Sequence, residues 1–307
     1  MDPVRGVLIT GANGQLGRRL IKSLPNGIPV AAVVRSERAR SSLLSYIGER
    51  SSLNISVGNP CDAAFIRAAV DGCDQVVHLI GTIKETRSAS YFDAHERPAR
   101  ALMQALEHCD IRHILTISIL GAHASSTSRC LRSRAATEEI LKSTSAPATI
   151  IRVPMVLGET DRASFSLAKR ASSKKAILFR AESLEQPIYA GDVVAAMERR
   201  LTIPATETKT FDLAGPESLP RRELVLRAAA ILNRTPNIWS LPLPLGLMLA
   251  GVAQALLKRP PITASMLNLL DHDDLIDPQP AARELGITLT SLDTMLRRCV
   301  VNRLARD

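Results

Sequence analysis

The chain has 307 residues, 46% of them apolar and only 3% aromatic, and it carries a formal charge of +9. That length suits one large α/β unit or a core domain with a smaller lobe. The core must be built from Val, Ile, Leu and Ala, and the scarcity of Phe, Tyr and Trp argues against a base-stacking nucleic-acid surface. Eight of the 39 basic residues are Lys and the rest are Arg, scattered rather than blocked. The charge reads either as a solvated surface or as a match to an anionic partner, such as a membrane or an acidic protein.

Val7-Leu8-Ile9 is a short apolar strand. Thr10-Gly11-Ala12-Asn13-Gly14-Gln15-Leu16-Gly17 follows at once, and a helical stretch runs from Gln15 to Leu24. A strand that ends in such a loop and enters a helix presents backbone N–H groups to a pyrophosphate. Gly11 allows the tight turn, Gly14 lets phosphates approach the backbone, and Gly17 lets the helix pack closely on the sheet. Asn13, Gln15 and Leu16 complete the candidate loop. Further apolar strands are predicted at 30–34, 54–57, 75–80, 113–117 and 148–153, with helices near 38–47, 62–70, 90–108 and 130–143. Runs apolar on both faces that alternate with helices predict an α/β fold. It is a doubly wound parallel (Rossmann) sheet with its ligand crevice at the carboxyl ends of the strands.

The second strand ends in Val33-Val34-Arg35-Ser36, with no Asp or Glu to accept from a ribose 2′-OH. Arg35, with Ser36 and Arg38 beside it, points to NADP(H) over NAD(H); the competing reading is one more surface Arg. Asn59, after the third strand, is a candidate for an adenine edge, and Asp62 is predicted to cap the following helix.

The regular alternation ends at Pro154 and Gly158. Beyond them lie a polar stretch, a helix from Asp192, the strand-like Thr210-Phe211-Asp212-Leu213, and further helices, one opened by Pro220 with Glu223 in its first turn. The expected division is a nucleotide-binding domain at 1–158 and a smaller, mostly helical substrate or partner lobe at 159–307, with elements such as 186–201 packing back on the first domain. Residues 241–257 carry no charge until Lys258-Arg259. The segment is shorter than the ~20 residues a membrane span needs, and Pro242 and Pro244 break its start. It reads as a buried lobe helix or as a surface for a membrane or partner subunit. Five widely spaced cysteines (61, 73, 109, 130 and 299) suit a reducing compartment, and no metal-ligand spacing appears among the six His. With the first strand starting almost at the N-terminus, a signal peptide has no room, and a cytoplasmic protein, peripheral at a membrane or free of one, is expected.

These motifs resemble the short-chain dehydrogenase/reductase superfamily in its extended and atypical branches. The carriers are the glycine loop, Val77-His78-Leu79-Ile80-Gly81-Thr82, Thr116-Ile117-Ser118, Arg152-Val153-Pro154, the segment 186–194 and Phe211-Asp212-Leu213-Ala214-Gly215. Within that superfamily, Val77–Glu85, Leu120-Gly121-Ala122, the Leu-Pro-x-Pro stretch at 241–244, Pro260-Pro261-Ile262-Thr263 and Ala282–Ile287 are similar to proteins related to the nucleotide-binding accessory subunit of respiratory complex I. The resemblance implies cofactor contacts at Ile80, Gly81, Thr82, Ser118, Arg134, Pro154 and Val156. It also implies a catalytic Tyr and Lys four residues apart on the helix after the fifth strand. Here Cys130 stands at the Tyr position and Arg134 at the Lys position. Arg134 can hydrogen-bond a ribose but does not readily exchange a proton. Cys130 reads as a small helix residue or as a thiolate beside Arg134, shorter than a phenol in either case. Ser118, Cys130 and Arg134 are the candidates for chemistry, while Tyr46, Tyr91 and Tyr189 lie in other segments.

Two function classes follow. One is a binding protein that holds NADP(H) as a structural or sensing cofactor and docks a partner subunit or membrane through its C-terminal lobe. The other is an NAD(P)H-dependent oxidoreductase or epimerase with an unorthodox proton donor, acting on an apolar isoprenoid or quinone-like molecule.

Overall fold

A computed structural model of the protein describes residues 4–85, 89–203, 205–256, 263–264, 267 and 272–301. Leu257, Lys258-Arg259 and Pro260-Pro261-Ile262 lie outside the described residues. The strands of the first half are β1 (Val7–Thr10), β2 (Val30–Val34), β3 (Leu53–Val57), β4 (Gln75–His78), β5 (His113–Ile119) and β6 (Ala148–Val153). Between them run α1 (Gln15–Ser23), α2 (Glu37–Ile47), α3 (Ala63–Ala69), α4 (Arg97–Leu106) and α5 (Arg129–Lys142). The second half adds β7 (Val156–Leu157), α6 (Arg162–Ser172), β8 (Lys175–Phe179), β9 (Leu184–Glu185), β10 (Ile188–Tyr189), α7 (Ala190–Thr202) and β11 (Lys209–Asp212). It continues with β12 (Leu219–Pro220), α8 (Arg221–Ile231), β13 (Asn237–Leu241) and α9 (Leu243–Leu256). Short helices then span Gln279–Leu285 and Leu292–Leu296.

Seven strands form one sheet in the order β11-β6-β5-β4-β1-β2-β3, as predicted for a doubly wound fold. β1 pairs in parallel with β2 and with β4, and the parallel pairs β2–β3 and β4–β5 flank them. Every residue of β1 and of β4 is buried, which is why Val7-Leu8-Ile9 and Val76-Val77 put apolar side chains on both faces. α1 lays Gly17, Leu20 and Ile21 on the sheet. Asp62 caps α3 by accepting from Ala64 and Phe65 N–H, as its sequence predicts. The helix predicted at 90–108 differs: a π-helical turn, Phe92–Glu96, precedes α4. Apolar spacing does not reveal that turn, because it is a shift of backbone hydrogen bonding that leaves the sequence pattern helical.

The chain divides into two compact units. The first comprises Met1–Thr82, Thr86–Arg152 and Val193–Phe211; the second comprises Ile83–Glu85, Val153–Asp192 and Asp212–Asp307. The second unit has its own core, in which Leu167 and Ala171 of α6 meet Leu224, Val225 and Ala228 of α8 and Met295 and Leu296 of the 292–296 helix. The polar stretch read after Gly158 contains α6 and β8. β8 was hidden because its partner, β13, comes far later in the chain, and the two form a separate parallel pair. Arg221, almost fully buried, closes this unit by pairing with Glu185 at 2.6 Å. Among the described residues no helix is long and apolar enough to cross a membrane.

Arg50 supports the exit of α1. Its guanidinium donates to the carbonyls of Ile21, Leu24, Pro25 and Ile28 at 2.6–3.0 Å and to Ser52 Oγ at 3.0 Å. The carbonyls at a helix C-terminus lack intrahelical partners, so one planar cation serves several of them together. Replacing Arg50 by Ala is expected to cost about 2 kcal/mol of stability, since hydrogen bonds to a charged group contribute more than neutral ones. Urea denaturation of the variant is the check, and Arg50→Lys should recover only part of the loss.

Candidate functional site

The strand order reverses between β1 and β4, whose register sets Thr10 against His78. The crevice of a doubly wound sheet opens at such a switch point. The glycine loop lies there. Gly11 has φ +72°, and a Cβ on it would stand 2.8 Å from the carbonyl carbon of Leu79. A Cβ on Gly17 would stand 2.7 Å from Gly11 O and 2.9 Å from Ala12 Cα. Both positions are backbone against backbone, so no side chain can move aside. Gly14 is different: its Cβ would meet only Gly11 O, at 3.0 Å. The first turn of α1 has no side-chain cap, and Asn13 Oδ1 is buried without a hydrogen-bond partner. An open glycine and an uncapped helix start together fit a nucleotide diphosphate. The loop residues would hold the phosphates of a nicotinamide nucleotide, which when bound would supply or accept hydride.

Arg35 is exposed at the end of β2. Ser36 is the N-cap of α2, its Oγ accepting from Ala39 N–H at 3.3 Å. Asn59 Oδ1 accepts from Cys61 N–H at 3.0 Å. Burial pushes the Cys61 thiol up, Arg97 and Arg35 oppose it, and Asp93 adds to it. Arg35 and the Asn59–Cys61 turn thus share one end of the sheet, while the Ser36 hydroxyl and the Asn59 carbonyl are each taken by local turns.

The segment Ile80–Thr82 after β4 is held from two sides. Arg134 Nη1 donates to Ile80 O at 3.3 Å, and a Cβ on Gly81 would overlap the Arg134 guanidinium. Arg134 Nε is buried with no partner. Burial draws this guanidinium below its ordinary range, against the opposing effects of Cys130 and Glu138. Glu138 is engaged elsewhere, pairing with Arg152 Nη2 at 2.6 Å. On the other side, His95 Nε2 lies 3.1 Å from Thr82 N and 2.8 Å from Thr82 O. His95 comes from the π-turn, and its ring stacks near Tyr91 with centroids 5.3 Å apart. Cys130 is fully buried, with Sγ 3.8 Å from Thr82 O. His78 Nδ1 meets Thr10 Oγ1 at 2.9 Å, and His78 Nε2 and Ser118 Oγ are buried without partners. Burial first, and Arg134 second, hold His78 and His95 down to about 3, so both rings are neutral.

Sequence reading thus brought Gly81, Thr82, Cys130 and Arg134 to one place but missed His78 and His95. The available signal was a histidine inside the otherwise apolar run Val76-Val77-His78-Leu79. Pro154 and Val156 belong to the second compact unit, where β7 pairs with β10. The three tyrosines are engaged: Arg18 stacks over Tyr46 at 4.5 Å, Tyr91 packs on His95, and Tyr189 donates to Glu159 under the Arg298 guanidinium.

Two outcomes follow. Gly81→Ala should displace Arg134 and weaken nicotinamide-nucleotide binding about tenfold, roughly the effect of losing one hydrogen bond. In an Arg134→Ser background the same change should cost nothing further, and titration calorimetry of the four proteins gives the coupling. The second outcome concerns pH. His78 and His95 are held at about 3 and His113 at about 4, all mainly by burial, against an ordinary value of 6.5. Across that window the unfolded chain binds protons that the folded chain refuses, so stability must fall as pH drops below about 6.5. Urea midpoints between pH 7 and pH 5 measure the slope, and His95→Gln should flatten it.

Comparison with known proteins supplies the family. The NAD(P)H-binding family model matches residues 11–180. The chain is 29% identical over 279 residues to the Arabidopsis thaliana protein named mitochondrial NADH dehydrogenase (ubiquinone) 1 alpha subcomplex subunit 9, covering 89% of this chain and 69% of that one. It is 26% identical over 283 residues to the mitochondrial NADH-ubiquinone oxidoreductase 40 kDa subunit of Neurospora crassa, covering 91% and 74%. It is also 26% identical over 250 residues to a ceramide reductase of Caulobacter vibrioides, covering 80% and 77%. Among solved structures, UDP-glucuronic acid 4-epimerase from Bacillus cereus in complex with NAD superposes with a TM-score of 0.76 at 15% identity, over 98% of this chain and 99% of that one, a likeness of fold. The chain belongs to the NAD(P)H-binding family, within the atypical short-chain dehydrogenase/reductase superfamily.

Proposed function

We propose that this protein holds NADP(H) as a structural or sensing cofactor rather than as a turnover reagent. The observation that carries the reading is the pair Cys130 and Arg134, in place of the superfamily's Tyr and Lys. A fully buried thiol and an ever-charged guanidinium can position a nucleotide but make a poor proton relay. In this reading Gly11, Asn13, Gly14, Gln15, Leu16 and Gly17 hold the diphosphate. Arg35 faces the 2′-phosphate, Asn59 the adenine side, and Ile80–Thr82, Ser118 and Arg134 the nicotinamide ribose. Residues 1–158 bind the nucleotide and 159–307 dock a partner. The likeness to complex I subunits supports a docking role. Five free cysteines suit a reducing, cytoplasmic setting with peripheral attachment.

The likeness to a ceramide reductase favours a second reading, an NAD(P)H-dependent oxidoreductase or epimerase on an apolar substrate. Mass spectrometry of the nucleotide that copurifies, followed by an assay of its consumption on ketone and quinone panels, separates the two. Stoichiometric NADPH without turnover is expected, and turnover abolished by Cys130→Ser would overturn the structural role. Arg35→Asp is expected to weaken NADPH about 10- to 100-fold, the range for a charge-assisted phosphate contact, and to leave NADH nearly unchanged. Equal losses for both nucleotides would remove Arg35 from the 2′-phosphate role.

A further inference from the structure

The second compact unit carries an apolar face with nothing packed over it among the described residues. In α9, Leu243, Gly246 and Ala250 turn inward, and a Cβ on Gly246 would stand 2.7 Å from the Phe179 ring. The helix is therefore seated on Phe179 and Leu267. The opposite stripe, Leu245, Met248, Leu249 and Val252, follows i, i+3, i+4, i+7 spacing and is exposed, Met248 by 60%. β8 and β13 extend the same face. Side chains alternate along a strand, so Ile177 shares the face of Phe179, and the parallel register sets Ile177 beside Trp239. α9 covers the Phe179 end and leaves Ile177 and Trp239 60% and 56% exposed.

The segments that build this face carry mainly positive charge, and the acids beside it, Glu182 and Asp273, are paired with Arg222 and Arg180. Residues 162–181 contain six cations and no Asp or Glu; residues 228–270 contain Arg234, Lys258 and Arg259 and again no acid. In the structure Lys169, Arg170, Lys174, Lys175 and Arg234 are exposed. Among the described residues Lys174, Lys175 and Arg234 form no ion pair. Exposed apolar side chains amid unpaired cations, with a Trp among them, complement lipid acyl chains beneath anionic headgroups. α9 has 14 residues, about 21 Å of helix at 1.5 Å per residue, against a hydrocarbon core of about 30 Å. The 14 described residues can lie in a membrane surface and are too few to cross it.

We infer that the α9–β13–β8 face is a peripheral docking surface for an anionic lipid bilayer. It requires no turnover of the nucleotide and no change in the first unit. Trp239 is the only tryptophan, so its fluorescence reports on this face alone. The test adds vesicles of mixed phosphatidylglycerol and phosphatidylcholine, or of phosphatidylcholine alone, to the full chain. With the anionic vesicles Trp239 emission should shift to the blue, brominated acyl chains should quench it, and the protein should cosediment, all weakening as salt rises. Lys174→Glu with Lys175→Glu should lower the affinity about tenfold or more, each lysine near an anionic surface contributing roughly equally. Both positions are exposed, so NADPH binding and circular dichroism should be unchanged. Met248→Ser with Leu249→Ser should remove the blue shift. Absence of binding to anionic vesicles, or equal affinity for the two vesicle types, overturns the inference. Self-association of the lipid-free protein with Trp239 shielded from iodide also overturns it, by giving the face to a second copy.

Discussion

Four consecutive residues after β4 govern the arrangement of the site. Leu79 must pass within contact of Gly11, Ile80 must present its carbonyl to Arg134, Gly81 must leave room for that guanidinium, and Thr82 must lie against His95. The Gly11–Leu79 contact is backbone against backbone and cannot adjust by changing a rotamer, while Arg134 and His95 hold the other three residues through their side chains. The glycine loop, the β1–β4 register and the start of α5 are thereby fixed relative to one another. The orphaned atoms around this strip, Asn13 Oδ1, Ser118 Oγ, His78 Nε2 and Arg134 Nε, are an unusual concentration of unsatisfied buried polarity. Such groups cost about 1–3 kcal/mol each when left unpaired, which is a physical reason for the strip to hold a polar ligand.

Much of this was legible in the sequence, because buried parallel strands leave a strong mark. Val7–Ile9 and Val76–Val77 are apolar where both sheet faces are covered, and Asp62 caps a helix because its carboxylate has two amides within reach. What was not legible depends on distant pairing or on hydrogen-bond register. β8 is a five-residue strand whose partner arrives only after α7 and α8, and the π-turn keeps a helical pattern while rotating His95 onto Thr82. Ser36 and Asn59 show the converse limit. Their residue types suit a ligand contact, yet a helix cap and a turn take one oxygen of each.

The arginine excess also acquires meaning only in three dimensions. Along the chain the 31 arginines look like a scattered surface charge. Folded, they do different work: Arg50 serves helix carbonyls, Arg152 and Arg221 neutralise buried glutamates, and Arg134 stands beside a glycine with one carbonyl for company. Setting those aside leaves an exposed remainder that includes Lys169, Arg170, Lys174 and Lys175 on α6, β8 and the turn between them. A net charge thus becomes informative once its internally satisfied part has been set aside.

The same reasoning bears on whether the cluster around Gly81 transfers protons. A general acid needs a proton it can lose near the working pH. Arg134 cannot lose one, because even a lowered guanidinium stays charged in a protein. His78 and His95 have already lost theirs, being held at about 3. Cys130 is fully buried, with its Sγ 3.8 Å from Thr82 O. Neither the two histidines nor Arg134 therefore changes protonation state near neutrality, while each can hydrogen-bond a fixed polar ligand. A set of residues so arranged is suited to grip a nucleotide, and any proton for a reduction would have to come from Cys130, from water or from a side chain outside the cluster.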